Sequence, residues 1–216
     1  MNAPLPLQRP QLLTEVARER IRDAIVDGEL KLGEQVSEAQ LATRMGISKT
    51  PVREALLRLQ GDGLVQIHPQ RGTFVFRLDA LQVGQLCRYR SMLECAALRE
   101  AMAERPKALL DQMARRVADM RKAERARDLR ALASIDMDFH WQFLAHCPNT
   151  YLAEGYELVR WQLTALRHRS PITNAVSSHQ VLVDAVEAGD ADHAVALLDS
   201  HVVENEPRYI GANHVD

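Results

Sequence analysis

A chain of 216 residues, 46% apolar and 26% charged, has the make-up of an ordinary globular protein with a buried core, which excludes a fibrous or disordered chain. Its apolar runs are too short to span a bilayer, and MNAPLPLQRP lacks the basic, apolar and cleavage segments of a secretory signal, so a cytoplasmic protein without membrane insertion is expected. The net charge of −2 is uneven: residues 44–77 carry six bases against two acids, leaving the remainder at −6, and that basic stretch suits an anionic partner. Cys87, Cys95 and Cys147 form neither a CxxC pair nor an even disulfide set, and read as reduced core thiols.

In chain order, Thr14 is placed to cap a first helix that runs to about residue 27, where Gly28 and Gly33 turn the chain. Ser37 with Gln40 three residues on has the form of a capping box opening a short helix, SEAQLATRM, which Gly46 ends. Ser48 is the expected cap of a third helix to Gly61, with Pro51 in its first turn, where a missing N–H breaks no helical bond. LVQIHPQRGTFVFR then changes period to two β-rich segments, about 64–67 and 73–77, around a Pro/Gly turn. From residue 79 onward the period is helical again, in six segments near 80–104, 107–126, 129–147, 150–168, 174–188 and 190–205, punctuated by Pro106, Pro148, Pro171 and Gly189. The expected fold is mainly α: a winged helix-turn-helix over residues 1–78 and an all-helical, antiparallel bundle of six to seven helices over 79–216.

In a winged helix-turn-helix the third helix enters a DNA major groove and the wing reaches phosphate or the minor groove. Lys49, Thr50 and Arg53 crowd the start of that helix, while Arg71 stands at the wing tip beside Gly72, where no side chain blocks close approach. Arg53 is the candidate for base reading, because a guanidinium makes a bidentate contact to guanine where lysine makes a point-charge contact to phosphate. The plainer alternative is a solvated basic face on a protein-binding module. LATRMGISKTPVREALLRLQGDGLVQIHPQRGTFV resembles the DNA-binding domain of GntR-family bacterial transcriptional regulators, with TPVREAL, the following GL and RGTFV in order. The resemblance implies DNA contacts at Arg44, Lys49, Thr50, Arg53 and Arg71; Lys49 stands where the family more often has arginine, and Leu32 where it usually has proline.

On a helical wheel, the segment LASIDMDFHWQFLAHC has a broad apolar arc of Leu129, Leu132, Ile135, Phe139, Phe143, Leu144 and Cys147, with Asp136 and His140 inside it and Asp138 outside. A buried unpaired carboxylate is costly, so Asp136 needs a partner cation or a proton. His179 and His201 also fall on apolar arcs. Each alone reads as a satisfied core histidine; together with Asp136 and His140, one divalent cation satisfies all four. Zn²⁺ is the first choice, and Ni²⁺ and Mn²⁺ share these ligand types. His68, His146, His168, His193 and His214 have no such setting and read as surface or packing residues. Arg90 centres on the arc of Val83, Leu86, Cys87, Ala97 and Ala101, either in an internal pair with Glu94 or holding a ligand carboxylate through its fork.

YRSMLECAALREAMA, IDMDFHWQFLAHCPN and SSHQVLVDAVEAGDADHAVALLDSHV resemble the helical FCD ligand-binding domain that follows GntR modules in the FadR subfamily. The resemblance implies metal ligation by Asp136, His140, His179 and His201, and a small organic-acid effector at Arg90 with Asn149. The whole reads as a homodimeric, non-enzymatic regulator that binds a palindromic double-stranded operator under effector control. Two other classes stay open at this point: a metal-dependent hydrolase, although HExxH is absent, and a regulator whose metal is purely structural.

Overall fold

The computed structural model describes residues 9–170 and 174–213, with side chains from residue 13 onward, so the expectations for the first residues, Pro171 and His214 lie outside it. The chain divides between Arg77 and Leu78 into two compact units.

In the first unit, α1 (Arg9–Val26) packs on α3 (Lys49–Gly61) and α2 (Glu38–Met45) completes the trio. Ala17, Ile21, Ile25, Val52, Leu56 and Leu59 are its buried core, each on the inward stripe of its helix. Thr14 is not the cap that was expected. It lies inside α1, fully buried, and its hydroxyl donates to Glu54 Oε2 at 2.8 Å. Ser37 and Ser48 hold N-cap positions with extended backbone, yet neither side chain makes the capping bond, so the Ser37–Gln40 box does not form. Gly46 ends α2 in the left-handed conformation, φ 67°, as a C-cap glycine does.

The wing is a three-stranded antiparallel sheet in the order β1 (Gln35–Val36), β3 (Gly72–Val75), β2 (Val65–His68). The hairpin register pairs Val65 with Val75 and His68 with Gly72, while Gln35 pairs with Phe74. β1 is the unexpected strand; two residues are too few to display an alternation.

Among the described residues the second unit is six helices: α4 (Ala80–Glu104), α5 (Pro106–Ala126), α6 (Leu129–His146), α7 (Thr150–Arg169), α8 (Ala175–Glu187) and α9 (Ala191–Ala212). A complete capping box opens α4: Gln82 N–H donates to Asp79 Oδ1 at 2.8 Å and Asp79 N–H to Gln82 Oε1 at 2.9 Å. α4 lies against α9, α6 and α7, and α8 bridges α5 and α9, so α6 sits within the bundle. Its Phe139 and Phe143 are fully buried, edge to face at 5.5 Å. Truncating either to alanine costs roughly 3–5 kcal/mol by cavity formation. Two members of the α6 arc depart from expectation: Leu129, the first helical residue, is 66% exposed, and Ile135 is half-buried. α9 runs seven residues past its expected end, through Pro207. The extension carries buried Tyr209 inward and ends at Asn213, whose Oδ1 accepts from Leu78 N–H at 3.2 Å and whose Nδ2 donates to Leu78 O. Among the described residues no helix is long and apolar enough to cross a membrane, and all three cysteines are free.

Candidate functional sites

At the start of α3, Lys49 and Thr50 are exposed and Arg53 is 66% exposed, its guanidinium forked on Glu38: Nε lies 3.0 Å from Oε1 and Nη2 2.9 Å from Oε2. Arg44, in the last turn of α2, is also exposed and stands 3.7 Å from Glu29. At the wing, Gln35 Nε2 donates to Arg71 O at 2.9 Å, which fixes the turn backbone and leaves the Arg71 side chain exposed. Gly72 has φ +110°, and a Cβ there would come within 2.6 Å of Gln35 Nε2, so only glycine fits without a shift. An open groove lined by Gln35, Ser37, Glu38, Lys49, Arg53 and Gly72 joins the start of α3 to the wing. Arg44, Thr50 and Arg71 are not in its lining. A row of exposed cations ending in a glycine turn is able to grip a polyanion.

The second site is buried. α6 supplies Asp136 and His140, one turn apart on its inward face; α8 supplies His179, α9 His201, and α4 both Arg90 and Glu94. Nitrogens of His140, His179 and His201 lie within 4.8 Å of one another. Each imidazole is steered by a neighbour. His140 Nδ1 is 2.8 Å from Glu94 Oε2, and His179 Nδ1 is 2.7 Å from the carbonyl of Ala175, so both Nδ1 atoms donate and both Nε2 atoms carry lone pairs. Those two Nε2 atoms face each other at 3.4 Å, and Asp136 Oδ1 lies 3.2 Å from His179 Nε2. Two imidazole lone pairs therefore face each other with a carboxylate oxygen beside one of them, an arrangement that a bound cation stabilises and an empty apolar core does not. The residues present fit a divalent metal. His201 is half-buried at the edge, with Asn205 Nδ2 3.3 Å from its Nε2.

Electrostatics follow from burial and pairing. Burial lowers His179 to about 4 and His201 to about 2, so both imidazoles are neutral at pH 7 and available as ligands. Burial opposes the Glu94 carboxylate, but Arg90 and His140 outweigh it and hold the group at about 2. Asp136 is likewise held below the ordinary carboxylate range: burial opposes its charge, and Arg167, with Nη2 2.5 Å from Oδ1, overcomes it. Arg90 is fully buried; its Nε donates to Glu94 Oε1 at 2.7 Å and its Nη1 to Tyr209 OH at 2.8 Å. Arg90 Nη2 and Arg167 Nε and Nη1 are buried with no hydrogen-bond acceptor.

His140, His179 and His201 thus come together; Asp136 stands beside His179 but is held by Arg167, and Arg90 reaches His140 only through Glu94. Asn149 stands apart: it is half-buried at the N-cap of α7, beyond the far end of α6 from the cluster, and joins none of the contacts above. Asp138 faces α5, where Arg116 Nε pairs with it at 2.6 Å. His146 contacts Gln142 O one turn back, and His168 on α7 contacts Ser134 on α6.

Two family models match consecutive stretches of the chain: "Bacterial regulatory proteins, gntR family" over residues 13–75 and the FCD domain over residues 85–204. This chain is a gntR-family regulatory protein with an FCD domain. The "Probable D-xylose utilization operon transcriptional repressor" of Paenarthrobacter nicotinovorans is 31% identical, with 90% of this chain and 89% of the relative covered. The E. coli K12 "HTH-type transcriptional repressor RspR" is 28% identical over 85% and 83% of the two chains. The solved structure of E. coli McbR/YncC is alike in fold, with a TM-score of 0.77, 21% identity and coverage of 92% and 97%. A gntR-family FCD protein is a DNA-binding transcriptional regulator, not an enzyme.

In this gntR-family chain, sequence reasoning missed Arg167, Tyr209, Glu38 and the link from Glu94 to His140. A wheel drawn for α7 would have found Arg167, since Tyr156, Leu163 and Arg167 fall on one narrow arc and all three are buried. Tyr209 lay beyond the expected end of α9. Glu38 carries no local signal, because its partner is 15 residues away.

Proposed function

We infer that this GntR-type regulator binds a palindromic operator as a homodimer, reading bases with Arg53 and gripping phosphate with Arg44, Lys49, Thr50 and Arg71, while Gly72 allows close approach of the wing. Its buried centre holds one divalent metal, Zn²⁺ before Ni²⁺ or Mn²⁺, through Asp136, His140, His179 and His201. A small carboxylate effector bound at Arg90, with Asn149 further along the chain, shifts DNA affinity. FCD domains often bind metal, which supports this reading. One observation carries it: the Nε2 atoms of His140 and His179 face each other at 3.4 Å with their other nitrogens committed to Glu94 and Ala175 O. The metal supplies Lewis acidity, holding these donors together and drawing an anion to the centre. Glu94 orients His140, and Arg90 keeps Glu94 ionised. Two relatives are named repressors, which supports repression as the direction of control.

The test is binding of the full chain to the promoter upstream of its own gene, measured against salt with and without metal and organic acid. A steep salt dependence that an acid shifts is expected. A flat salt response, or binding indifferent to Arg53→Ala, refutes the DNA assignment.

A second reading, a structural metal with no effector, is favoured by the commitment of two of the three Arg90 nitrogens to Glu94 and Tyr209. Titration of metal-loaded protein with small organic acids separates the two, since only the effector reading predicts heat that Arg90→Ala removes.

A further inference from the structure

Resting on the assignment of Arg53 to base reading above, we propose that Glu38 is the positioning residue of that arginine: it holds one edge of the guanidinium and presents the other edge to a guanine. Glu38 thereby sets sequence discrimination while acting through Arg53. A face that grips a polyanion is a costly place for a carboxylate. Residues 44–77 carry six bases against two acids, and Glu38 opposes that charge in the groove that Lys49, Arg53 and Gly72 also line. Its charge repels phosphate and so lowers sequence-independent affinity.

The geometry shows what the carboxylate gives in return. Glu38 is the first residue of α2, where the unpaired N–H groups of a helix start favour a negative charge, and its side chain is 30% exposed against 66% for Arg53. The acid is the better-anchored partner. Arg53 reaches it from α3 and meets it side-on, with Nε 3.0 Å from Oε1 and 3.1 Å from Oε2, and Nη2 2.9 Å from Oε2. A guanidinium carries five N–H groups in one plane. The side-on fork uses Nε–H and one hydrogen of Nη2, which leaves the end-on edge of Nη1 and Nη2. Among the described residues, Nη1 makes no hydrogen bond.

Two parallel N–H groups on that edge match O6 and N7 of guanine. Arg53 therefore takes a guanine without giving up Glu38, whereas a phosphate approaching the Nε edge has to displace the acid. Two bonds to an anchored carboxylate also remove, before DNA arrives, rotamer freedom that a lone arginine loses on binding. In water such a pair adds little to stability, so its effect falls on recognition.

The experiment uses the full chain and the duplex that wild type enriches from a random library, against a shuffled duplex of equal length, by fluorescence anisotropy at one salt concentration. Wild type is compared with Glu38→Gln, Glu38→Asp, Arg53→Ala and the double variant of Glu38→Gln and Arg53→Ala, with Tm recorded for each. Glu38→Gln binds shuffled DNA about two- to threefold tighter, and its preference for the selected duplex drops about fivefold, the lower end of what a bidentate guanine contact discriminates. Glu38→Asp keeps the charge but is one methylene too short for the fork, so it loses the preference and binds shuffled DNA as wild type does. In the Arg53→Ala background Glu38→Gln reduces the preference no further. A 7-deazaguanine, which lacks N7, weakens wild type at one operator position and has no effect there in Glu38→Gln. Preference kept in Glu38→Gln but lost in Arg53→Ala overturns the positioning role and leaves Arg53 as base reader. Preference kept in Arg53→Ala, or no duplex enriched by wild type, overturns base reading and the proposal with it. A lower Tm in Glu38→Gln with weaker binding to both duplexes makes the carboxylate structural and also overturns the proposal.

Discussion

The recognition face and the buried centre use the same residue types under opposite conditions. Arg53 and Glu38 make a forked pair in water, where the partners exchange readily for others. Arg90 and Glu94 make a single Nε–Oε1 contact with water excluded, where losing one partner strands the other charge. The roles proposed above use that difference: an exposed guanidinium can trade its carboxylate for a base or phosphate, whereas a buried one is a fixed part of its surroundings.

The largest effect expected is on stability. Glu94→Gln removes the charge that compensates Arg90 and the acceptor that orients His140, and costs roughly 3–5 kcal/mol in urea unfolding. Glu38→Gln leaves the unfolding midpoint where it is. Equal effects from the two would break the comparison.

Next is DNA affinity. Arg53→Ala lowers operator binding at least tenfold in fluorescence anisotropy without moving Tm, and Lys49→Ala reduces the salt slope by about 1. Loss of Tm in Arg53→Ala would show that its pair with Glu38 is structural.

Acid separates the regions more gently. The folded chain holds His179 at about 4 and His201 at about 2, against an ordinary 6.5, so the unfolded chain binds more protons below pH 6.5. Their contribution to the metal-free bundle is full above about pH 6.5 and is lost as the pH falls, down to about 4 for His179 and about 2 for His201, on the order of a few kcal/mol. Glu94, held at about 2 against 4.5, withdraws its contribution only below about pH 4.5. Urea midpoints of metal-free protein at pH 7.5, 6 and 5 should fall in that order; a constant midpoint contradicts the burial of neutral imidazoles. The smallest effect is at the wing, where Gly72→Ala meets Gln35 and a left-handed φ and costs about 1–2 kcal/mol, visible as a modest loss of DNA affinity.

The same contrast explains what was legible in the sequence. Asp136, His140, His179 and His201 were readable as inward residues because helical period alone puts them on apolar faces. Their partners were not. Arg167 reaches Asp136 across 31 residues and Tyr209 reaches Arg90 across 119, distances over which period carries no information. Thr14 was misread because its hydroxyl is satisfied by Glu54 on α3, not by a helix end. The end of α9 was misplaced because Pro207 is tolerated within the helix, whose last turns are held by Tyr209 packing and the Asn213–Leu78 clasp. On the recognition face, the exposed cations were legible one by one, and the fork from Arg53 to Glu38 was not.

The most direct test of the central claim is the zinc affinity of the purified chain, measured by competition with a chromophoric chelator for wild type and His179→Ala. The account predicts one zinc per chain and at least a hundredfold loss of affinity in the variant. A wild-type chain that takes up no zinc, nickel or manganese, or a variant that binds as tightly as wild type, contradicts it.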